Sequence, residues 1–207
     1  MHPNPAFRKT GRDRNVAFAR DRGFGTLAVN GDAAPLLSHI PFVLSEDGAT
    51  AELHLVRSNP VTAACKTALP AALAVQGPDS YVSPDWYGID DQVPTWNYVA
   101  VHLRGRLERQ PQDSLRPMLD RLSAAFEDRL APKPAWLTDK MPADALDRML
   151  RMIVPFVLHV DGIDGTWKLG QNKDDAVRLR AADAVERDGI GHEPAQLAAT
   201  MRTPSAD

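Results

Sequence analysis

A series of short apolar segments separated by turn residues constrains the fold of this chain most strongly. Residues 24–29, 35–44 and 51–56 alternate apolar and polar side chains or are rich in β-branched residues, which predicts strands. Asn30-Gly31-Asp32 and Glu46-Asp47-Gly48 lie between these segments and are typical of tight turns. Strands joined by such short connections are antiparallel neighbours, so the sequence predicts a β-meander.

The remaining pattern predicts an α+β fold. Further strands are predicted at residues 71–76, 97–107 and 155–163, and Gly105 inside the second of them indicates a bulge or a barrel corner. Gly77-Pro78 predicts the end of the first of these strands, followed by a loop over residues 79–91. Helices are predicted at residues 10–22, 61–67, 112–130, 143–153, 174–187 and 194–201.

Composition excludes several classes of protein. A net charge of −3 disfavours nucleic-acid binding, and the single Cys65 excludes an intrachain disulfide framework. No segment approaches the roughly 20 apolar residues of a membrane span, and no signal-peptide core is present, so we expect a cytoplasmic protein that does not bind a membrane. The six histidines lack metal-site spacing, which predicts no metal site.

A candidate anion site lies where the third strand ends. Arg57 and Ser58 precede Asn59-Pro60, which has the form of a helix N-cap followed by proline at the first helical position. Free N–H groups and a nearby guanidinium suit a phosphate ester. An ordinary strand-to-helix cap explains the same residues equally well.

Two aromatic clusters are further candidates for ligand binding. The first surrounds Trp96 in the stretch Val93–His102, and the second contains Trp167, Lys168, Gln171 and Asn172. Aromatic faces beside amides and a lysine suit the polar edge of a flat heteroaromatic ring. A strand end that caps its neighbour is the structural alternative for the second cluster. His39 and His54 are also ligand candidates, although hydrogen-bonded histidines within strands would give the same pattern.

Five blocks of the sequence together resemble the PaiB family of FMN-binding negative transcriptional regulators. The resemblance covers roughly residues 1–200, in the family's order and spacing, and the joint match is far more specific than any single block. The blocks are Ser38-His-Ile-Pro-Phe42, His54-Leu-Val-Arg-Ser-Asn-Pro60, Gln76-Gly-Pro-Asp-Ser-Tyr-Val-Ser-Pro84, Val93-Pro-Thr-Trp-Asn-Tyr98 and Trp167-Lys-Leu-Gly-Gln-Asn172.

The resemblance implies an antiparallel split β-barrel of the flavin-reductase and pyridoxamine-phosphate-oxidase type, with peripheral helices. It also implies a homodimer that holds FMN at the subunit interface. Residues 1–172 would form the barrel domain, with a helical insertion at about 112–153, and residues 173–207 would form a helical extension with flexible last residues. The implied cofactor-binding residues are Thr26, His39, His54, Arg57, Ser58, Asn59, Trp96, Trp167, Lys168, Gln171 and Asn172.

The sequence departs from the family pattern at two positions. Gly170 stands where the family usually has serine, which removes a hydroxyl group. Leu53 stands where the family commonly has glycine, which puts the depth of the cofactor pocket in question.

Three functions are compatible with the resemblance. The first is an FMN-binding protein, either a flavin-dependent oxidoreductase or a redox-responsive regulator. The second is a transcriptional regulator that acts on DNA directly or indirectly, although no helix-turn-helix pattern is evident. The third is a haem enzyme with His54 as the iron ligand, because a branch of the family resembles haem-dependent synthases. No residue is singled out by spacing as catalytic.

Overall fold

Seven strands form one sheet in the computed structural model, which describes residues 2–204. The strand order is β2-β1-β5-β6-β7-β4-β3, and each pair of strands with a defined register is antiparallel. The strands are β1 (Phe24–Val29), β2 (Leu36–Pro41), β3 (Val43–Leu44), β4 (Thr50–Val56), β5 (Leu69–Val82), β6 (Thr95–Arg109) and β7 (Ile153–Lys168).

Six α-helices accompany the sheet within residues 2–204, so the predicted α+β class is confirmed. The helices are α1 (Arg12–Arg22), α2 (Pro60–Ala64), α3 (Leu115–Glu127), α4 (Ala143–Met152), α5 (Asp175–Asp188) and α6 (Pro194–Arg202). Helix α1 ends where the sequence predicts, because Gly23 follows it with a φ of 56° in the left-handed region.

The prediction that β5 ends at Gly77-Pro78 is wrong, since the strand continues to Val82. A segment near the C-terminus supplies hydrogen-bond acceptors beyond Pro78. The amides of Asp79 and Tyr81 both donate to it at 2.9 Å, the first to the carbonyl of His192 and the second to that of Ile190. These partners are more than 100 residues away in sequence, so local turn chemistry could not reveal them.

Two other predicted strands have different limits in the structure. The segment 35–44 is divided at Phe42 into β2, which pairs with β1, and β3, which pairs with β4. Strand β7 extends to Lys168, five residues past the predicted end at 163. Trp167 and Lys168 therefore lie on the strand and not in the loop that follows it.

The chain divides into two compact units, and β5, β6 and β7 contribute residues to both. The first unit comprises Met1–Phe18, Val75–His102 and Ile163–Asp207, and the second comprises Ala19–Ala74 and Leu103–Gly162. The predicted boundary at residue 172 stays a prediction, and residues 205–207, predicted to be flexible, lie outside the described part of the chain.

The second unit has the closed arrangement expected of a split barrel. Strand β2 packs against β4 and α2, although other strands separate β2 from β4 in the sheet order. Alternate residues of the strands fill the interior. The leucines at its centre are fully buried: Leu27, Leu53, Leu73, Leu103, Leu107 and Leu158.

Gly105, which the sequence marks as a corner or bulge, is a site of close backbone approach within the second unit. A Cβ atom built on Gly105 would lie 1.8 Å from the carbonyl oxygen of His159, which no side chain tolerates. The glycine therefore lets β6 come close to β7 at this point.

The core of the first unit is formed by the ends of the long strands together with helices α5 and α6. The two helices pack against each other, and their small residues Ala181, Ala182 and Ala198 are fully buried. Trp167 belongs to this core and is 6% exposed.

Candidate functional site

A threonine and a histidine contact each other on neighbouring strands of the second unit. Thr26 on β1 is directly opposite His39 on β2, and Thr26 Oγ1 lies 3.0 Å from His39 Nδ1. Burial alternates along both strands, so these side chains project from the face opposite to the buried Leu27 and Ile40. The pair presents one hydroxyl group and one imidazole on that outer face.

His54 carries an unpaired polar atom. It lies on β4 between the buried residues Leu53 and Leu55, so its side chain also projects away from the leucine core. Its Nδ1 is buried and has no hydrogen-bond partner among the described residues. Burial lowers the pKa of His54 below 6.5, so the imidazole is neutral at pH 7. A buried nitrogen without a partner is costly to leave unpaired, which makes it a place for a ligand to bind.

We expect the stability of the protein to fall as the pH is lowered because of His54. The pKa of a histidine in the unfolded chain is about 6.5, and the pKa of His54 in the folded protein is lower. Just below pH 6.5 the unfolded state therefore binds more protons than the folded state, which favours unfolding. The stability is therefore fully present above pH 6.5 and is lost as the pH falls towards the lowered folded pKa. Denaturant unfolding of the wild type and of His54→Gln between about pH 7 and about pH 5.5 measures this effect. The variant should lose less stability over that interval, and an equal loss would contradict the assignment.

Arg57 at the end of β4 contacts the end of helix α4. Its Nε donates to the carbonyl of Arg151 at 3.0 Å, and its Nη2 donates to Gln112 Oε1 at 3.3 Å. Gln112 in turn donates to two more carbonyls, those of Leu150 and Ile153, at 3.1 Å each. A cation is stabilising at this negative end of a helix. In the described part of the chain Nη1 of Arg57 has no protein partner, so one edge of the guanidinium is free for an anion.

The turn that follows Arg57 has the predicted cap. Asn59 Oδ1 accepts from the amide of Val61 at 2.8 Å, and Pro60 occupies the first position of α2. Asn59 also donates to Ser38 Oγ at 2.9 Å, which ties the turn to β2 one residue before His39. Ser58 is exposed in this turn. The structure thus brings the turn 57–59, His39 and Thr26 into one region of the second unit.

Apolar side chains on the outer faces of the same strands are unusually exposed. Phe24 is 55% exposed, Leu37 is 63% exposed and Val56 is 48% exposed. Leu37 stands opposite Ala28 in the register of β1 and β2, two residues from His39. A patch of exposed apolar side chains bordered by polar ones often marks a binding surface.

Two of the candidate residues near the end of β7 have structural roles. Trp167 is buried, and its Nε1 donates to Asn15 Oδ1 at 2.8 Å. Gln171 accepts from the amide of Leu169 at 2.8 Å and donates to the carbonyl of Trp167 at 2.6 Å, so its amide holds the turn. Their assignment to the cofactor is a prediction that these contacts do not test.

The other candidates of the first unit are more accessible. Lys168 and Asn172 line a cavity of about 170 Å³, and burial together with the charge of Lys173 lowers the pKa of Lys168. Trp96 is 47% exposed, and its ring makes an edge contact with the ring of Tyr81, with 6.3 Å between the ring centroids.

The two departures from the family pattern have simple structural consequences. The Leu53 side chain is fully buried in the core, on the opposite face of β4 from His54, so it does not enter the outer face. Gly170 has a φ of 78°, in the left-handed region that favours glycine.

Three residues that the sequence does not single out support the candidate residues. Ser38 and Gln112 hold Asn59 and Arg57 respectively, and Asn15 holds Trp167. Asn15 carries no distinctive signal in the sequence, because polar residues are common on the solvated face of a helix. Its partner lies 152 residues away and has no local signature.

The structure gives no sign of a metal centre or of a membrane span in the part of the chain that it describes. Among residues 2–204 no three histidine, cysteine or acidic side chains are grouped to hold a metal ion. No helix there is long and apolar enough to cross a membrane.

A family model described as "Putative FMN-binding domain" matches residues 1–162. Among curated proteins, "Protease synthase and sporulation protein PAI 2" of Bacillus subtilis is 27% identical over 184 residues, which cover 88% of this chain and 87% of that protein. A yeast relative, "Uncharacterized protein YKL070W" of Saccharomyces cerevisiae, is 36% identical in an alignment of 101 residues that covers 44% of this chain and 60% of that protein.

Solved structures share the fold. A FAD- and haem-binding protein from Mycobacterium smegmatis superposes with a TM-score of 0.58 and 21% identity, covering 90% of this chain and 82% of that one. A flavocytochrome from Azotobacter vinelandii also has a TM-score of 0.58, with 14% identity, covering 81% and 72% of the two chains. The split-barrel fold predicted from the sequence is confirmed by these similarities together with the curled sheet.

Proposed function

The chain belongs to the family of FMN-binding domains of the PaiB type, and from this membership we propose that it is a flavoprotein that binds FMN in its second unit. The observation that carries the proposal is the buried, unpaired Nδ1 of His54, next to a turn that carries a free guanidinium edge. Both features are what a ligand with polar ring atoms and a phosphate group requires.

The phosphate group is assigned to the turn 57–59. Arg57 offers Nη1 in a guanidinium whose other nitrogens Nε and Nη2 are already held in place by the end of α4 and by Gln112. A side chain fixed in this way loses little conformational entropy when it binds an anion. Ser58 adds an exposed hydroxyl group, and Asn59 keeps the turn in position through its bonds to Val61 and Ser38.

The flavin ring and ribityl chain are assigned to the outer face formed by β1, β2 and β4. Thr26 and His39 offer hydrogen-bonding groups there, and His54 offers the unpaired nitrogen. The exposed Phe24 and Leu37 supply apolar surface of the kind that a flat ring covers. The roles of Trp96, Trp167, Lys168, Gln171 and Asn172 towards the cofactor stay predictions.

The residues of the chain would bind and orient the flavin, which supplies electron or hydride transfer when bound. Thr26 and His39 share one hydrogen bond, so a ligand on this face meets a fixed pair instead of two mobile side chains. Glu52, a carboxylate on the same face of β4 as His54, is paired with Arg121 at 2.6 Å, and within residues 2–204 we assign no acid, base or nucleophile on this face. We therefore assign a redox function without naming a substrate or a catalytic residue.

A homodimer is part of the proposal. Phe24, Leu37 and Val56 leave large apolar side chains exposed on the face assigned to the flavin. Helix α4 is amphipathic, yet none of its residues is buried, and Met149 and Met152 are 57% and 60% exposed. A second copy of the chain would cover such surfaces, and sedimentation of the purified protein distinguishes a dimer from a monomer.

Titration of the apoprotein with FMN, riboflavin and FAD tests the cofactor assignment. We expect saturable quenching of the flavin fluorescence by the protein, with FMN bound at least about tenfold more tightly than riboflavin, because riboflavin lacks the phosphate that Arg57 holds. Equal binding of FMN and riboflavin would contradict the phosphate site. Binding of none of the three flavins would contradict the proposed function itself.

A haem enzyme is the second candidate, and one observation favours it. His54 is neutral and has an unpaired ring nitrogen, as an iron ligand must before it binds the metal. Two of the proteins that share the fold are described as a FAD- and haem-binding protein and as a flavocytochrome. A direct regulatory action on DNA has no comparable support, since the net charge is −3.

A further inference from the structure

A small cavity in the first unit lies outside the strands β1, β2 and β4 and the turn 57–59, to which the flavin is assigned above, although Lys168 and Asn172 in its wall are also among the predicted cofactor residues. Its volume is about 170 Å³, and the residues that line it include Phe7, Tyr87, Lys168 and Lys173. Each amine lies over one of the rings, Lys168 Nζ at 5.9 Å from the Phe7 centroid and Lys173 Nζ at 4.3 Å from the Tyr87 centroid. Both lysines therefore line the same cavity, each with its amine over an aromatic ring.

Among the described residues, the hydrogen-bond partners of the two lysines are neutral. Lys168 Nζ donates to Thr95 Oγ1, and Lys173 Nζ donates to Gln92 Oε1. Within residues 2–204 neither lysine is in ion-pair distance of a carboxylate, although Asp91 also lines the cavity. Burial and the charge of Lys173 both lower the pKa of Lys168. Two neighbouring cations without a counter-ion favour the entry of an anion.

A buried amide in the same cavity is poorly satisfied. Asn97 is 1% exposed and lines the cavity, and the acceptor of its Nδ2 is the sulfur of Met201 at 3.6 Å. A thioether is a weak acceptor, so the amide retains most of its capacity to donate to an oxygen atom. Gly170 with its left-handed backbone lies beside the amide, where a Cβ would be 3.8 Å from Asn97 Nδ2. Glycine therefore leaves this side of the cavity open.

We propose that this cavity binds a small oxyanion, the carboxylate or phosphate group of a compact metabolite, at a site separate from the flavin. Lys168 and Lys173 supply the charge, and the Asn97 amide supplies a directed hydrogen bond. At roughly 30 Å³ per water molecule the cavity has room for a phosphate or a short carboxylate but not for a flavin ring system.

Calorimetric titration of the full-length apoprotein with inorganic phosphate, and separately with succinate, tests this site. We expect saturable binding of at least one of the two anions by the wild type. Lys168→Met and Lys173→Met should each weaken it by about tenfold or more, because each removes a charge-assisted hydrogen bond. The matched control is Lys9→Met, an exposed lysine of the same unit, which should bind like the wild type. A preference for phosphate or for succinate identifies which kind of oxyanion the site takes.

Three outcomes would overturn the proposal. The first is no binding of either anion by the wild type, or heats that sodium chloride at matched ionic strength reproduces. The second is an equal loss in Lys9→Met. The third is competition between the anion and FMN, which would show that the cavity belongs to the flavin site. If a lysine variant does not fold, the amide resonances in the NMR spectrum of the wild type provide the test. Addition of the anion should shift the resonances of Gly170 and of the Asn97 side chain. An absence of these shifts would contradict the site.

Discussion

Replacement of Trp167 by alanine is expected to lower the free energy of unfolding by about 3–5 kcal/mol, the range for removal of a buried aromatic side chain. The indole is 6% exposed, and its edge contact with Phe18 has a centroid distance of 5.4 Å. The substitution also leaves Asn15 Oδ1 without the N–H group that now donates to it. Urea unfolding followed by circular dichroism measures the change.

Trp96→Ala is the matched control, since Trp96 is 47% exposed and makes one edge contact, with Tyr81. We expect it to cost about 1 kcal/mol or less. Trp167→Phe should fall between the two, because it keeps most of the apolar volume and loses the hydrogen bond. Equal costs for Trp167→Ala and Trp96→Ala would contradict the placement of Trp167 in the core of the first unit.

Replacement of Arg57 by alanine is expected to weaken FMN binding by about 1.5–3 kcal/mol, the range for a charge-assisted hydrogen bond. At 1.4 kcal/mol per tenfold change, the dissociation constant should rise by roughly 10- to 150-fold. Riboflavin has no phosphate group, so its affinity should be nearly the same for the variant and the wild type. Fluorescence titration with both flavins measures the two effects separately.

The comparison with riboflavin is needed because Arg57 also holds the end of helix α4. If Arg57→Ala weakened both flavins equally, its role would be structural and the phosphate would lie elsewhere. Arg148→Ala is the control for lost charge, since Arg148 is an exposed arginine of α4 that pairs with Asp144 at 2.5 Å. Gln112→Ala, which removes the side chain that accepts from Arg57 and keeps the cation, should cause a smaller loss than Arg57→Ala.

The part of the fold that depends on local pattern could be predicted from the sequence. The alternation of buried and outward residues places Ser38 and Ile40 on one face of β2 and Leu37 and His39 on the other, as the structure confirms. The cap at Asn59 follows equally well, because it uses atoms only two residues apart. Gly77-Pro78 predicts a strand end that the structure does not have, because the carbonyl groups of Ile190 and His192 accept hydrogen bonds from β5 beyond Pro78.

Residue type alone could not separate ligand candidates from core residues. Trp96 and Trp167 both stand in polar stretches, but Trp167 is buried because α5 and α6 cover it with small residues such as Ala181. Whether Nδ1 of His54 has a hydrogen-bond partner depends on the residues around the side chain in the fold, and no sequence motif indicates this. The second contact of Arg57, with Gln112, joins residues 55 positions apart and has no sequence signature.

The absorption spectrum of the purified protein, recorded before and after addition of FMN and removal of the unbound flavin, tests the central claim most directly. We expect the two absorption bands of an oxidised flavin to stay with the protein in near-stoichiometric amount, and to be lost in His54→Leu, because leucine offers the flavin no ring nitrogen. A Soret band in the purified protein, absent from His54→Leu, would instead identify a haem protein. A colourless protein that retains no flavin after addition of FMN would contradict the account.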